Sequence, residues 1–232
     1  MKQLALFDLD ETLLAGDSDF EWGQFLIDAG VLDRAVHEAR NAEFYAQYRA
    51  GTLDVVEYLE FQVRPLSRYP RAQLDAWHAA FLASRILPMV RPGARALIAR
   101  YRGATQAIVT ATNAFVTGPI AAALGIPHLL ATDLEEIDGR FTGRGRGTPC
   151  FQQGKVTRLH EWLASRGERL ADYDESWFFT DSMNDVPLLS VVTNPVTVHP
   201  DPRLRAHAMQ AEWPILTLDT TIPPHAAFKS VL

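Results

Sequence analysis

The most constraining feature of the sequence is the segment 4–12, LALFDLDET, in which a run of four apolar residues leads directly into two aspartates. Successive side chains of a β-strand point to opposite faces, so Asp8 and Asp10 would share a face if the strand continued through both. Buried carboxylates are unfavourable unless a cation or hydrogen bonds compensate for their desolvation. The segment therefore predicts either a turn capped by aspartates or a functional carboxylate pair.

The composition narrows the class of protein. The chain has 232 residues, of which 47% are hydrophobic and 22% are charged, as in an ordinary globular protein. Its net charge of -6 argues against a nucleic-acid partner, which would favour a basic face. The single cysteine, Cys150, excludes an internal disulfide and a thiolate metal cluster, and we expect it to be structural.

The sequence also lacks the patterns of a membrane protein. No apolar run is long enough to cross a bilayer, and the first residues lead into a predicted strand without a signal-peptide pattern. We therefore expect a cytoplasmic protein with no membrane partner, either a monomer or a homodimer.

Two kinds of local pattern divide the chain. Residues 17–86 are helical in character and show no strand-like alternation. Elsewhere short apolar runs alternate with predicted helices; the runs are residues 4–7, 106–109, 128–131, 177–179, 191–192 and 196–198. This alternation predicts an α/β fold with a parallel sheet and right-handed crossovers. Residues 1–16 and 87–232 would form the core, and residues 17–86 a helical insertion after the first strand.

Local signals refine this outline. Ser18 and Glu21 have the spacing of a capping box, and Thr52 is expected to cap the helix 54–63. The pair 138–139, Asp-Gly, is typical of a hairpin turn. The arginine-rich run 140–146 is expected to be a solvated loop.

Polar residues follow three of the predicted strands. Phe7 leads into Asp8, Val109 into Thr110, and Phe179 into Thr180 and Asp181. In an open parallel sheet the ligand lies at the carboxyl ends of the strands, so these polar residues are expected to meet there. With Lys155 and a second acid downstream they form one candidate site, comprising Asp8, Asp10, Thr110, Lys155, Asp181 and Asp185.

The residue types in this site favour phosphoryl chemistry. Acyl transfer requires a base such as histidine beside a serine or cysteine nucleophile, and the set has neither. Carboxylates suit Mg²⁺, which takes oxygen ligands from protein, water and substrate phosphate. A carboxylate can also attack phosphorus directly. Of the two acids in segment 4–12, one would be ionised and the other would protonate the leaving oxygen.

The segments LFDLDET, IVTAT, GK and TDSMND, in this order, resemble the four motifs of the haloacid dehalogenase-like hydrolase superfamily. The helical insertion after the first motif resembles that superfamily's C1-type cap, and its all-helical form resembles subfamily IB, the phosphoserine phosphatase-like branch. The resemblance implies a three-layer Rossmann-like core with an inserted cap domain. It also implies a phosphatase, a magnesium-dependent phosphomonoester hydrolase that forms an aspartyl-phosphate on a small phosphorylated metabolite.

Matching positions to the family motifs assigns roles. Asp8 would be the nucleophile, and Asp10 the general acid and then the general base. Thr110 and Lys155 would bind the phosphoryl oxygens.

The same resemblance assigns the metal. Mg²⁺ would be bound by Asp8, the backbone carbonyl of Asp10, and Asp181. Asp185 would either bind the metal directly or lie in its second coordination shell, and the sequence leaves both possibilities open.

The helical insertion departs from the phosphoserine phosphatase pattern. Asp17 stands where those enzymes carry a glutamate, and Glu60 where they carry the arginine that holds the serine carboxylate. Arg64 lies one helical turn further on. We expect Asp17 and Arg64 to contact the substrate, an amino-alcohol phosphate such as histidinol phosphate, or phosphoserine.

Other classes of function were considered. A receiver-type signalling domain is about half this length and has no helical insertion after its first strand. A nucleotide-sugar transferase would lack the downstream threonine, lysine and acidic pair. A phosphotransferase of the same family and a degenerate phosphate-sensing protein remain open.

Overall fold

The computed structural model describes residues 1–220. These residues form a seven-stranded sheet in the order β4-β3-β2-β1-β5-β6-β7. The strands are β1 (Gln3–Phe7), β2 (Thr105–Asn113), β3 (His128–Ile137), β4 (Arg140–Arg146), β5 (Glu175–Thr180), β6 (Asn194–Val198) and β7 (Ile215–Leu216). All neighbouring strands are parallel except β3 and β4, which are antiparallel. The predicted α/β fold with a largely parallel sheet is confirmed.

Helices fill the connections between strands. They are α1 (Ser18–Asp28), α2 (Arg34–Ala50), α3 (Val55–Val63), α4 (Arg71–Phe81), α5 (Leu87–Met89), α6 (Ala94–Arg100), α7 (Ala114–Leu124), α8 (Gln153–Ser165), α9 (Val186–Leu189) and α10 (Pro202–Gln210). A 3₁₀ helix (Arg64–Arg68) follows α3, and a π-helical turn (Leu82–Ile86) links α4 to α5. Helices α1–α6 all lie between β1 and β2, and α1–α4 fall within residues 17–86, where the sequence predicts helices.

Strand β1 lies at the centre of the sheet, and its two faces pack against different layers of helices. Its apolar run is buried on both faces, which is typical of a parallel strand covered by helices on each side. Leu4 and Leu6 pack in one core cluster with residues of α8, α9 and α10. Ala5 and Phe7 pack in the other with residues of α6 and α7. The core therefore has the three predicted layers.

The helical insertion shares its apolar core with one face of the sheet. Trp22 of α1 and Leu59 and Val63 of α3 belong to the same buried cluster as Phe7 and Phe115. The predicted boundaries between core and insertion at residues 16/17 and 86/87 stay a prediction, and residues 221–232 of the predicted core lie outside the described residues.

Two predicted helix caps are wrong. Helix α1 is capped by Asp17, whose carboxylate accepts the N–H groups of Asp19 and Phe20. The Ser18 N–H, which Glu21 would accept in a capping box, donates instead to Asp10. Helix α3 is capped by Asp54, and not by Thr52, since the carboxylate of Asp54 is next to the first helical turn. In both places an aspartate adjacent to the first turn supplies the acceptor.

The predicted hairpin turn is confirmed, but the prediction of a solvated loop for residues 140–146 is wrong. Asp138 and Gly139 have φ values of 50° and 75°, and they join β3 to β4. Residues 140–146 form strand β4, because Phe141 is buried in the core and Arg144 pairs with Glu135 of β3. The run is thus an edge strand with exposed arginines.

The predicted strand 191–192 is also wrong. Val191 is exposed and its N–H donates to the Leu188 carbonyl, which continues the turn after α9. Val192 packs into the core from that turn, so its apolar character reflects burial and not strand pairing. In residues 1–220 no helix has both the length and the apolar character needed to cross a membrane.

Candidate active site

The polar residues in the carboxyl-terminal parts of β1, β2 and β5, or directly after them, meet because these three strands are neighbours in the sheet. Parallel strands end at the same edge, so Asp8, Thr110 and Thr180 are brought to one place. The Asp8 N–H donates to the Phe179 carbonyl at 2.8 Å, which continues the pairing of β1 with β5 up to the aspartate.

Lys155 joins this cluster from the first turn of α8. Its Nζ lies 3.0 Å from Asp8 Oδ1 and 2.7 Å from Asp185 Oδ2, and all three side chains are buried. A Cβ on the preceding Gly154 would lie 2.0 Å from the Pro149 carbonyl oxygen, so only glycine lets the helix begin this close to that backbone. This contact explains the Gly-Lys pair of the sequence.

The three charges determine each other's protonation. Burial alone would lower the pKa of the Lys155 ammonium, but the two carboxylates outweigh burial and raise that pKa. Burial raises the pKa of the Asp8 carboxyl, and Lys155 opposes the rise. Burial likewise raises the pKa of Asp185 to about 6 against the effect of Lys155. Lys155 is therefore a protonated cation between two buried acids.

Two threonines outside the predicted candidate site, Thr12 and Thr180, hold the acidic residues in position. Thr12 Oγ1 donates to Asp181 Oδ1 at 3.1 Å and accepts the Asp181 N–H at 3.0 Å. Thr180 Oγ1 donates to Asp185 Oδ2 at 2.6 Å. Thr180 directly precedes Asp181 and Thr12 lies two residues after Asp10, and this proximity in the sequence is the signal that could have identified them.

Asp10 has a separate set of donors. Its Oδ1 accepts the Ser18 N–H at 2.7 Å, and its Oδ2 accepts the Thr112 hydroxyl at 2.8 Å. The Thr110 hydroxyl lies further away, at 3.4 Å from the same Oδ2. Burial, followed by the charge of Asp17, raises the pKa of Asp10 to about 6. Asp10 can therefore carry a proton close to neutral pH.

The carboxylate oxygens of Asp8 and Asp181 are suitable ligands for Mg²⁺. Thr12 Oγ1 is 3.4 Å from Asp8 Oδ2 and also contacts Asp181, so the two carboxylates lie on either side of one hydroxyl. Burial and the charges of Asp8 and Asp185 raise the pKa of Asp181 well above its usual range, a repulsion that a divalent cation would relieve. Within residues 1–220 no three acidic, imidazole or thiol groups form a metal site by themselves. Mg²⁺ needs only one or two carboxylates with water and phosphate.

The helical insertion brings further carboxylates to Asp10. Asp19 is buried, accepts the Asn113 side-chain N–H at 3.2 Å, and is hydrogen-bonded to Tyr58. Burial, then the charges of Asp17 and Asp10, raise the pKa of Asp19 well above its usual range. The hydrogen bond from the Tyr58 hydroxyl opposes this rise.

Arg64 is placed elsewhere. It is exposed, and its Cα would lie 3.2 Å from a Cβ on Gly143 of β4. The structure therefore brings Asp17, but not Arg64, towards Asp10. Glu60 instead lines a cavity of about 140 Å³ between α3 and β4, together with Arg144, Arg146 and the apolar Val56 and Leu59.

A tyrosine contact that the sequence analysis missed joins the insertion to the core. The Tyr48 hydroxyl of α2 lies 3.0 Å from Ser182 Oγ, in the loop between Asp181 and Asp185. Nothing in the local sequence around Tyr48 distinguishes it from the neighbouring Tyr45, so only the tertiary structure reveals this contact.

Comparison with known proteins decides the family. A family model of haloacid dehalogenase-like hydrolases matches residues 5–190. The chain belongs to this family. A histidinol-phosphatase of Neisseria meningitidis serogroup C (strain 8013) is 43% identical over 219 residues, which cover 93% of this chain and 99% of that protein.

Two solved structures have the same fold as this chain. A Bordetella pertussis Tohama I protein of unknown function is 44% identical and superposes with a TM-score of 0.90, covering 94% of this chain and 99% of that one. A substrate-bound phosphoserine phosphatase, 21% identical, has the same fold, with a TM-score of 0.64 and coverage of 95% and 94%. The family resemblance is confirmed, and the protein is a phosphatase.

Proposed function

We propose that the protein is a magnesium-dependent phosphomonoester hydrolase that forms an aspartyl-phosphate on Asp8. The observation that carries this proposal is the placement of Asp8, which has the Lys155 ammonium 3.0 Å from one oxygen and the Thr12 hydroxyl, shared with Asp181, 3.4 Å from the other. Asp8 lies between one ammonium group and a second carboxylate, so these groups together carry a net negative charge. An anionic phosphoryl group can bind beside them only if a further cation compensates for that charge.

In the first half of the reaction an Asp8 oxygen forms a bond to phosphorus while the bond from phosphorus to the ester oxygen breaks. Asp10 gives its proton to that oxygen, so the leaving group departs as a neutral alcohol. In the second half water attacks the phosphorus, Asp10 takes a proton from it, and the bond to Asp8 breaks. Inorganic phosphate leaves and Asp8 is restored.

The separate surroundings of the two acids support these roles. Asp8 contacts a protonated lysine, which favours its ionised and nucleophilic form. Asp10 has a pKa raised to about 6 by burial, so it can give and take a proton near neutral pH. The Lys155 ammonium and the Thr110 hydroxyl would stabilise the phosphoryl oxygens in the transition state.

Mg²⁺ would be held by the carboxylates of Asp8 and Asp181 and by the backbone carbonyl of Asp10. When bound, it supplies positive charge that stabilises the negative charge developing on the phosphoryl oxygens. Asp185 already accepts hydrogen bonds from Lys155 and Thr180 on one oxygen. These contacts favour a role in holding Lys155 in position over a role as a metal ligand.

The carboxylates around Asp10 favour a cationic substrate. Asp17 and Asp19 lie near Asp10, and an ammonium or imidazolium group would compensate for their mutual repulsion. The name of the 43% identical relative, a histidinol-phosphatase, points the same way. Histidinol phosphate is therefore the first candidate among amino-alcohol phosphates. Phosphoserine is the second, because the acidic Glu60 does not suit its carboxylate and the exposed Arg64 lies against Gly143 of β4.

The test measures inorganic phosphate released from histidinol phosphate, phosphoserine and p-nitrophenyl phosphate, with Mg²⁺ and with excess EDTA. We expect Mg²⁺-dependent release by the wild type and none by Asp8→Asn. Asp174→Asn, an exposed aspartate just before β5, is the matched control and should be fully active.

The alternatives predict different results. Transfer of the phosphoryl group to an added alcohol in preference to water would identify a phosphotransferase. Binding of phosphate with no release from any ester would identify a phosphate-binding protein. Full activity of Asp8→Asn would contradict the proposed nucleophile.

A further inference from the structure

Thr112 has a contact in the site that no motif assigns to it. Its hydroxyl donates to Asp10 Oδ2 at 2.8 Å, a normal distance for a strong O–H to carboxylate hydrogen bond. The Thr110 hydroxyl is 0.6 Å further from the same oxygen, at 3.4 Å. The closer donor to Asp10 from β2 is therefore Thr112.

The geometry of β2 explains why both threonines face Asp10. Residues i and i+2 of a strand lie on one face, so Thr110 and Thr112 point the same way while Ala111 is exposed on the other. The pairing of β2 with β3 is irregular between Val109 and Asn113, and the Thr112 N–H donates to Thr110 Oγ1 at 3.2 Å. Thr112 is thus fixed by the strand and is itself buried.

Together with Ser18, Thr112 holds the Asp10 carboxyl at both ends. Ser18 N–H donates to Oδ1 and Thr112 Oγ1 donates to Oδ2. Each carboxyl oxygen has two lone pairs, so one donor on each fixes the orientation of the group and leaves a position for the proton that is transferred.

We infer that Thr112 is a positioning residue that orients Asp10 for proton transfer to the leaving oxygen. The inference rests on the proposed function, in which Asp10 is the general acid. A threonine hydroxyl contributes through Asp10 and need not contact the substrate.

If Thr112 positions Asp10, the effect of losing its hydroxyl depends on the leaving group, which a purely structural role would not cause. Proton donation matters when the leaving group is a basic alkoxide and matters little when it is a stabilised phenolate. Loss of the Thr112 hydroxyl should therefore slow the first turnover of an alkyl phosphate and spare that of p-nitrophenyl phosphate. The later attack of water, which also uses Asp10, would be slowed for both.

The experiment compares wild type with Thr112→Val, which removes the hydroxyl at nearly constant volume. The rate of alcohol release in the first turnover is measured by rapid quench with histidinol phosphate and with p-nitrophenyl phosphate. We expect a loss of roughly 10- to 100-fold for the alkyl ester and less than about 3-fold for the nitrophenyl ester. The nitrophenyl reaction should show a burst of product followed by a slow steady state.

Rescue and control variants separate positioning from folding. Thr112→Ser keeps the hydroxyl and should restore the alkyl reaction, while Thr112→Ala is a second variant without it. Thr197→Val is the matched control, since Thr197 is a buried strand threonine of β6 whose hydroxyl donates to the Pro214 carbonyl. It should leave both first-turnover rates unchanged.

Two failures are distinguishable. If the wild type releases alcohol from neither ester, the proposed function is overturned and this inference with it. If the wild type is active and Thr112→Val and Thr112→Ala slow both esters equally, or neither, the inference alone is overturned.

Discussion

The ammonium group of Lys155 lies 3.0 Å from Asp8 Oδ1, although the two residues are 147 positions apart in the chain. The same ammonium lies 2.7 Å from Asp185, so one cation serves two buried acids. This arrangement links the stability of the core to the chemistry of the site, because the charges that would act on phosphate also compensate for each other's burial.

Replacing Lys155 by methionine should therefore affect folding as well as activity. The variant leaves Asp8 and Asp185 buried without their cation, and we expect a loss of about 3–5 kcal/mol in the free energy of unfolding. Adding Asp185→Asn should recover part of the stability but none of the phosphatase activity. Urea denaturation and phosphate release are the measurements. Lys2→Met, at an exposed ion pair with Glu168, is the control and should change little. Undiminished stability of Lys155→Met would contradict the charge arrangement.

Cys150 should be unreactive in the native protein. Its thiol is buried, donates to the Leu130 carbonyl at 3.4 Å, and has its pKa raised to about 12 by burial. Because the thiolate is the reactive form, a disulfide reagent such as dithionitrobenzoate should modify it only after unfolding. Absorbance at neutral pH, with and without guanidinium chloride, measures this directly. Rapid modification of the folded protein would show that the thiol is accessible.

The contribution of His78 to the free energy of unfolding should fall in mild acid. Burial lowers the pKa of its ring below the ordinary 6.5, and its Nε2 lies 2.7 Å from the Val116 carbonyl. The unfolded chain therefore binds the proton more readily, so the contribution of His78 is complete above about pH 6.5 and is lost as the pH falls below that value.

The pH dependence of the His78 contribution is tested by measuring the free energy of unfolding in urea at several pH values between about 5 and 7 and comparing the slopes. His78→Gln should have a smaller slope than the wild type, and the exposed His160→Gln should keep the wild-type slope. An unchanged slope in His78→Gln would place the acid sensitivity elsewhere.

The contact between Tyr48 and Ser182 should influence substrate binding. It ties α2 of the insertion to the loop that carries Asp181 and Asp185. Loss of one hydrogen bond in Tyr48→Phe should raise KM by roughly 2- to 10-fold with a smaller change in kcat, because the insertion is held less firmly against the core. Steady-state kinetics measure both constants. Tyr45→Phe, an exposed tyrosine of the same helix, is the control, and equal effects of the two variants would argue against the contact.

Local patterns predicted most of the fold for a physical reason. An apolar run that is buried on both faces, such as that of β1, is a property of a few adjacent residues, and so is the Asp138-Gly139 turn. Errors arose where one residue type has two explanations. Val191 and Val192 look like a strand but lie in a turn. Asp17 and Ser18 are both common helix caps, and in the structure the Asp17 carboxylate is the acceptor.

By itself, then, the sequence determined which strands end in polar residues, and hence that Asp8, Thr110 and Asp181 would meet at one edge of a parallel sheet. Only the tertiary structure decided which donor reaches which oxygen. Asp10 is bonded more closely by Thr112 than by Thr110, and Lys155 contacts Asp185 as well as Asp8. Hydrogen bonds depend on tenths of an ångström and on direction, which packing sets and residue spacing does not.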